Sequence, residues 1–599
     1  MLRTRIREFI SAAIIQLQAE GALPKFDVPD FAVESPEDSA HGDYATNVAM
    51  AVAKVAKARP AEIAGALASK LRDKKLFSSI KIVPPGFVNF QISDGSIREA
   101  FTSTLANPDE WGKSDVGKGK TAIVEYFQLN IAKRPHIGHL RSAVIGDAIK
   151  RLLQSRGYRT ISDTHVGDWG TQFGILLLGC KDFFAEVGAK GAVSGRPFDF
   201  YEDIYAKENT RIVEDPQRRE LAKEEFAKLE RAKLKKTKGL RLDGAEKQNI
   251  EIWKNIVEQS MFALKASAER LGLLPFDEHR GESAYEQDMP TIVEDALSKG
   301  IAKKTSDRAV VVDLSADGLD EAVLLKSDGA STYLLRDLAT IRYRKQQYDF
   351  WKNIYVVDVR QSHHFKQVFR VAELLGFEGV WESRHIEFGF MTLPEGPMST
   401  RKGTAVSLGG LVAEAWKRAN DIILEKNPHL EGRATIAQQV GVGALKYFDL
   451  SHHRRSDIVF RWEEALSFDG NAGPYLQYTH ARLKSILRKA AELTRNSDAE
   501  LMRNFSAGVT LDDVEHRLLV AALRLPEAIE DALADFAPNL LANYLYNLAK
   551  LANEFYHSHP VIQEQDESKR EVRLALVTGT ALTLARGLNL LGIAAPEEM

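Results

Sequence analysis

Cysteine is almost missing: Cys180 is the only one in 599 residues. An internal disulfide and a cysteine-built zinc site are therefore excluded, and a reducing compartment suits such a chain. Cys180 follows the apolar run Ile175 to Leu178, so it reads as a small buried core residue rather than a nucleophile. Long hydrophobic runs are missing too, and nothing is long enough to span a bilayer. No export signal opens the chain. Ile6, Phe9, Ile10, Ala13, Ile14 and Leu17 fall on one face at helical spacing, which predicts an amphipathic helix of the folded body. The expectation is a soluble, cytoplasmic protein with no membrane partner. Charge of one sign is also lacking, with 83 acidic against 80 basic residues. Nucleic-acid binders are often strongly basic, so any RNA contact here must come from local patches. The phosphate loops of ATPases and dinucleotide enzymes are absent as well: no G-x-x-x-x-G-K-[ST] occurs, and no G-x-G-x-x-G follows the first strand of the parallel-sheet pattern.

What is present is length and order. An apolar content of 44% is ample for several cores, and three or more folded units are expected. The first segment runs to about residue 110, where Asn107-Pro108-Asp109 marks a loop. Within it, strands are predicted at Ile80 to Val83 and Phe87 to Ile92, around the turn Pro84-Pro85-Gly86. A second segment begins with a strand, TAIVEYF from Thr121, followed by a loop and by a helix carrying Leu140, Val144, Ile145, Ala148, Ile149, Leu152 and Leu153. Gly157 stands where a helix C-cap belongs, and another strand starts at Arg159. This order reads as a βαβ unit of a parallel sheet. Residues 201 to 240 are crowded with mixed charge, which fits a solvated helical insertion with i,i+4 pairs or an RNA-contacting surface. The sheet pattern resumes with a helix over Tyr333 to Arg342 and a strand over Ile354 to Val359. From Gly432 onward, long apolar-periodic stretches predict an α-helical domain.

The chemistry concentrates in the loop NIAKRPHIGH, Asn130 to His139. Pro135 fixes the chain's approach, and Gly138 leaves room for a ligand near the backbone. The next helix offers its N-terminus, where free N–H groups and the dipole favour phosphate. His136 and His139 flank the glycine, and each imidazole can donate to a phosphate oxygen. Two other readings stand beside this one. The pair could hold a metal, though no third ligand is near, or could merely cap the helix start.

HIGH after a first strand is a signature of class I aminoacyl-tRNA synthetases. The flanks VEYFQLNIAKRPHIGHLRSAVIGDAIKRLLQSRGY and THVGDWGTQFG resemble the arginyl branch of that family. The family's second motif, KMSKS, has a counterpart in Gly396-Pro397-Met398-Ser399-Thr400-Arg401-Lys402-Gly403. Met398 and Ser399 match, while Pro397 and Thr400 stand where lysines are usual. The resemblance assigns His136, Gly138, His139, Met398, Ser399, Arg401 and Lys402 to ATP, and Lys133 to the work of the missing second lysine. It assigns Glu125, Asn130, Tyr333, Asp337 and Gln361 to the amino acid. A guanidinium requires carboxylates, and Tyr333 and Asp337, four apart, share one helix face.

At the chain ends, Tyr475, Tyr478, His480, Arg482, Lys484 and Arg488 interleave aromatics with bases. That combination suits stacked bases and phosphates, or a helix packing Leu476, Leu483 and Leu487 with its bases solvated. The resemblance favours an anticodon-binding domain over residues 451–599, with Tyr475, Tyr478 and Arg482 on tRNA. It implies a tRNA-elbow domain over residues 1–110, read by Phe87 and Asn89. Between them it implies a Rossmann-like catalytic domain over residues 118–450, with helical insertions at about 181–325. The implied reaction is ATP-dependent, Mg²⁺-assisted activation of L-arginine and its transfer to the 3′-terminal adenosine of tRNA. It is carried out by a monomer without a permanent cofactor or dedicated metal site. A small-molecule nucleotidylyltransferase would not need the two end domains. A non-catalytic tRNA-binding paralogue would not need His136, His139 and Asp337 intact.

Overall fold

The structure, a computed structural model, describes residues 1–36, 38–72, 74–187, 196–394, 407–493, 505 and 510–599. Two compact units form. One comprises residues 1–114, 420–447 and 466–599, and the other residues 115–419 and 448–465.

In chain order, the first unit opens with helix α1 (Leu2–Ala19), strands β1 (Val33–Glu34) and β2 (Tyr44–Thr46), helices α2 (Val48–Ala56) and α3 (Pro60–Leu71), strands β3 (Phe77–Val83) and β4 (Phe87–Ile92), and helix α4 (Asp94–Ala106). The second unit begins with β5 (Thr121–Glu125), α5 (Ile137–Ser155), β6 (Arg159–Asp163) and α6 (Thr171–Glu186). Helices α7 (Phe198–Glu214), α8 (Gln217–Thr237), α9 (Gly244–Arg270) and α10 (Met289–Ser298) follow, then a small sheet of β7 (Ala302–Lys304), β8 (Val310–Val312) and β9 (Ala322–Leu325). Next come α11 (Tyr333–Tyr348), β10 (Lys352–Asp358), α12 (Ser362–Leu375), β11 (Ser383–Phe388) and β12 (Met391–Thr392). Helices α13 (Leu408–Lys426) and α14 (Arg433–Leu450), the short β13 (Ile458–Val459) and α15 (Trp462–Ala465) lead to the helices that complete the first unit. These are α16 (Gly473–Leu493), α17 (Asp513–Leu523), α18 (Leu525–Ala534), α19 (Pro538–Ser558) and α20 (Glu567–Leu590).

The second unit is built on a four-stranded parallel sheet in the order β11-β10-β5-β6. From β5 the chain crosses through α5 to β6 on one side. From β10 it crosses through α12 to β11 on the other side. The carboxyl ends of β5 and β10 therefore flank a switch in strand order, where open α/β sheets form their ligand crevice. Register puts Glu125 opposite both Tyr355 and Asp163. Helix α5 is buried nearly all round: Leu140, Val144, Ile145, Ala148, Ile149 and Leu152 are covered, and so are Arg141, Asp147 and Lys150, so it is a core helix rather than a half-wet one. Gly157, at φ +79°, follows its C-cap Arg156 as the left-handed residue that ends a helix.

Element ends differ from the sequence expectation for local reasons. The strand from Thr121 stops at Glu125, because Phe127 turns to φ +59° to start the loop. The helix from Tyr333 runs on to Tyr348. The strand after it ends at Asp358, whose carboxylate caps the next turn by accepting from the Arg360 N–H at 3.0 Å. In the mixed-charge helices, ion pairs mostly link neighbouring helices or residues three apart, such as Arg218 to Glu208 and Lys228 to Glu225, rather than residues four apart. Cys180 is fully buried and its thiol is pushed up to about 12, which removes it as a nucleophile at neutral pH.

In the first unit the antiparallel sheet β1-β2-β4-β3 meets the C-terminal helices. The six buried positions of α1 (Leu2, Ile6, Ile10, Ala13, Ile14 and Leu17) are one helical face. The Tyr44 hydroxyl donates to Glu527 at 3.0 Å, and Arg3 pairs with Glu530 and Asp531. His516, on α17, lies within 3.1 Å of both Asp43 and Asp94, and Gln91 also contacts it. Burial alone would lower this imidazole. Hydrogen bonds and charge from Asp43 and Asp94 outweigh it, so His516 titrates above its ordinary range. A raised imidazole contributes stability that is complete below the unfolded value, about 6.5, and is lost as pH rises through the folded one. The fall in unfolding temperature on going from pH 6 to pH 9 is therefore expected to shrink in His516→Gln. The variant itself costs about 1–3 kcal/mol at pH 6, because a neutral amide replaces the charged donor shared by two carboxylates. A pH slope identical to that of the parent chain rejects this.

Candidate active site

The His136 side chain is the N-cap of α5: its Nδ1 accepts the Gly138 N–H at 3.1 Å. The His139 Nδ1 accepts the His136 N–H, also at 3.1 Å, which closes a capping box made of two imidazoles. The rings lie 4.0 Å apart. The absent Cβ of Gly138 has a local cause as well, since a methyl there would sit 2.8 Å from the His136 ring. Burial lowers both imidazoles, with the Lys133 charge adding to it, and His139 falls to about 3. Both rings are thus neutral near pH 7. A neutral ring whose Nδ1 accepts must carry its proton on Nε2. Among the described residues no protein acceptor takes either Nε2–H. Capping the helix and donating to a ligand are therefore compatible roles, because the cap fixes the tautomer that donates.

Lys133 is exposed, with its ammonium 5.6 Å from the Tyr205 ring. Met398, Ser399, Arg401 and Lys402 lie outside the described residues, but both flanks of that segment are placed. Before it, β12 pairs with β13. After it, Ser407 forms a bridge with His136, and the Leu408 N–H donates to the Pro135 carbonyl at 2.9 Å. The chain that follows the second motif thus lies against the first at Ser407 and Leu408.

At the carboxyl end of β5, Glu125 is buried and ion-paired with Arg344 at 2.7 Å. The same guanidinium meets Asp163 at 2.9 Å and lies over the Tyr355 ring. Burial opposes the charge on Arg344, but Glu125 and the neighbouring groups raise it well above its ordinary range. His165, on the loop after β6 with φ +39°, has a buried Nδ1 without a partner. Burial would lower it; Glu125, then Asp163, and more weakly Asp337, raise it. Glu125 and Asp337 thus act on the same buried imidazole, one from β5 and the other from the first turns of α11. Asp337 accepts from the His364 Nε2 at 2.6 Å. Tyr333 is 65% exposed and stacks toward Arg336. Gln361 is exposed as the N-cap residue of α12. Asn130 bridges to Gly167, where a methyl would lie 2.6 Å from the Asn130 Oδ1.

Several charged groups here were not singled out from sequence. Arg344 stands seven residues after Asp337, hence on the same helix face, and that spacing is the signal that could have found it. Glu282 is ion-paired with Arg336 at 3.0 Å, and burial pushes it up to about 7. No periodicity marks Glu282, because it sits in a short turn.

In the first unit, Phe87 and Asn89 do alternate onto one face of β4, but Phe87 is exposed while Asn89 is buried between β2 and β3. On α16, Arg482 lies between the rings of Tyr478 and Tyr556, 4.9 and 4.8 Å away, and donates to Asn553. The Tyr475 hydroxyl accepts from Asn553. The other bases of that stretch are committed to the C-terminal tail: His480 to the Pro596 carbonyl, Lys484 to Glu597 and Arg488 to Glu598.

Three family models match consecutive segments. The arginyl tRNA synthetase N terminal domain matches residues 4–92, the catalytic domain of class I tRNA synthetases (R) residues 101–462, and the DALR anticodon binding domain residues 476–599. The arginine–tRNA ligase of Fusobacterium nucleatum is 35% identical over 590 residues, 98% of each chain. That of Alcanivorax borkumensis is 35% identical over 608 residues, all of both chains. Among solved structures, the Thermus thermophilus arginyl-tRNA synthetase aligns over the full length of both chains with a TM-score of 0.77 at 27% identity.

Proposed function

The chain belongs to the arginyl branch of the class I aminoacyl-tRNA synthetases, and its reaction is theirs, the ATP-dependent attachment of arginine to tRNA for translation; from that premise we propose how its residues divide the work. The observation that carries the reading is the imidazole pair, neutral and capped through Nδ1, with two free Nε2–H donors beside the returning chain at Ser407.

In the first step an arginine carboxylate oxygen attacks the α-phosphorus of ATP in line, and pyrophosphate leaves. His136 and His139 donate through Nε2 to phosphate oxygens as charge grows on them, and no enzyme nucleophile is used. Lys133 and the segment holding Met398, Ser399, Arg401 and Lys402 supply cationic and polar contacts to the triphosphate, and Gly138 borders it. In the second step the 2′-hydroxyl of the terminal adenosine attacks the adenylate carbonyl, and AMP leaves. Asp337 and Glu125 face the guanidinium side of the amino acid, with Tyr333 beside them, while Asn130 and Gln361 take its amino and carboxylate end. Mg²⁺ arrives on the triphosphate. Among the described residues, a trio close enough to hold an ion occurs at Asp512, Glu515 and His559. There Asp512 and Glu515 cap α17, His559 bonds Asp512, and Arg573 pairs with Glu515, so it does not fit a nucleotide's metal.

By the same reading residues 1–110 meet the tRNA elbow, with Phe87 stacking and Asn89 backing it. Residues 118–450, with insertions at about 181–325, carry catalysis, and residues 451–599 meet the anticodon through Tyr475, Tyr478 and Arg482. The enzyme works as a monomer in the cytoplasm, where its substrates are. No helix among the described residues is long and apolar enough to cross a membrane. The test is ATP–pyrophosphate exchange with each amino acid, with and without tRNA. Exchange is expected with arginine alone among them, dependent on Mg²⁺ and on bound tRNA. Exchange with another amino acid overturns the pocket assignment, and arginine exchange without tRNA overturns the tRNA requirement.

A further inference from the structure

Helix α12 begins immediately after Gln361, and each side chain of its opening turn is tied to a carboxylate. The Ser362 Oγ donates to Glu387 at 2.6 Å, His363 Nε2 lies 3.3 Å from Asp320, and His364 Nε2 lies 2.6 Å from Asp337. The last of these links differs from the others. Glu387 and Asp320 are on β11 and on the approach to β9, whereas Asp337 lies on the face of α11 read as holding arginine. Because a carboxylate only accepts, His364 must carry its proton on Nε2 in this contact. Among the described residues it is the one side-chain donor that Asp337 has, and it takes Oδ2. Among the same residues Oδ1 has no donor. Both side chains are mostly shielded, at 24% and 15% exposure, so the contact is not a solvated surface pair.

We propose that His364 is a positioning residue for the amino acid: it holds Asp337 by one oxygen, turns the other toward the guanidinium, and locks α11 to the turn that presents Gln361. This rests on the reading that Asp337 and Gln361 bind arginine. A free carboxylate rotates about its terminal torsion over a broad range. Fixing it beforehand removes an ordering cost that binding would otherwise carry. The His364 contact also sets the spacing between Asp337 and Gln361, which one arginine must bridge end to end.

The experiment is steady-state aminoacylation with arginine and ATP varied separately, for His364→Leu, His364→Gln and Asp337→Asn, with thermal unfolding of each. Leucine removes the donor and keeps bulk; glutamine restores an N–H donor. His364→Leu is expected to raise the KM for arginine about tenfold or more, the scale of losing a hydrogen bond to a charged group. The KM for ATP stays within twofold, and His364→Gln recovers most of the loss. A general loss of structure would move both KM values and the unfolding temperature together. If Asp337→Asn raises the arginine KM and His364→Leu does not, the positioning role is wrong while the pocket reading stands. If neither does, the pocket reading fails and the proposal with it. A glutamine variant as impaired as leucine also overturns it.

Discussion

Replacing His139 by alanine lowers the rate of arginyl-adenylate formation by about 10²–10³-fold, roughly 2.7–4 kcal/mol of barrier, the scale of losing one preorganised donor to a developing oxyanion. The size follows from preorganisation. The His139 ring is half-buried and neutral, with its acceptor nitrogen already occupied by the His136 N–H. Its remaining proton is fixed on Nε2, so no tautomer or rotamer has to be found as charge develops. Because the imidazole falls to about 3, it contributes as a neutral donor, and no activity limb between pH 5 and 8 belongs to its titration. The same substitution removes the N3 half of the capping box, leaving the His136 N–H without its acceptor at a cost of about 1–3 kcal/mol where that group is shielded from water. His139→Gln separates the two effects, because glutamine at the third helical position can accept from the N-cap N–H. Single-turnover formation of adenylate at saturating ATP, arginine and tRNA is the measurement. A rate within threefold of the parent chain, in a folded variant, removes His139 from the transition state.

The second large effect is expected at Asp337. Asp337→Asn keeps the shape and removes the charge, and it should lower kcat/KM for arginine by about 2–5 kcal/mol, the range for breaking a buried, hydrogen-bonded charge pair. The loss should fall on arginine and not on ATP, because the proposed reading gives the nucleotide to the cap of α5 and the amino acid to α11. Glu125 is the weaker target for such a test. Its carboxylate is already shared with Arg344, which also holds Asp163, and removing it leaves a buried guanidinium short of charge. Glu125→Gln therefore mixes binding with folding, whereas Asp337→Asn does not touch that pair. An unchanged KM for arginine in Asp337→Asn takes the guanidinium away from α11.

The difference between Glu125 and Asp337 also marks how far sequence reading reaches. Strand β5, helix α5 and the Gly157 stop were legible because apolar spacing and a left-handed glycine are local signals. The loop Asn130 to His139 was legible because HIGH and its flanks are specific text. The tie between Glu125 and Arg344 was not, since the packing of α11 against the end of β5 decides it and neither residue carries a local mark of its partner. The burial of Asn89 was missed for a similar reason: alternation along β4 told which residues share a face, but not that Asn89 is flanked by both β2 and β3 while Phe87 is reached by β3 alone. His480, Lys484 and Arg488 looked like RNA-facing bases on α16. The carboxylates and carbonyl that hold them lie at the far C-terminus, beyond the reach of any spacing argument.

Tyr44 is buried against Glu527, a partner 483 positions further along the chain. At translation rates of about 5–20 residues per second, that partner emerges from the ribosome roughly half a minute to a minute and a half later. Until then the nascent amino-terminal segment presents an uncovered tyrosine, and Asp43 and Asp94 lack their imidazole partner. This early-made segment is thus completed late, and a chain cut short before α17 leaves it permanently half-finished.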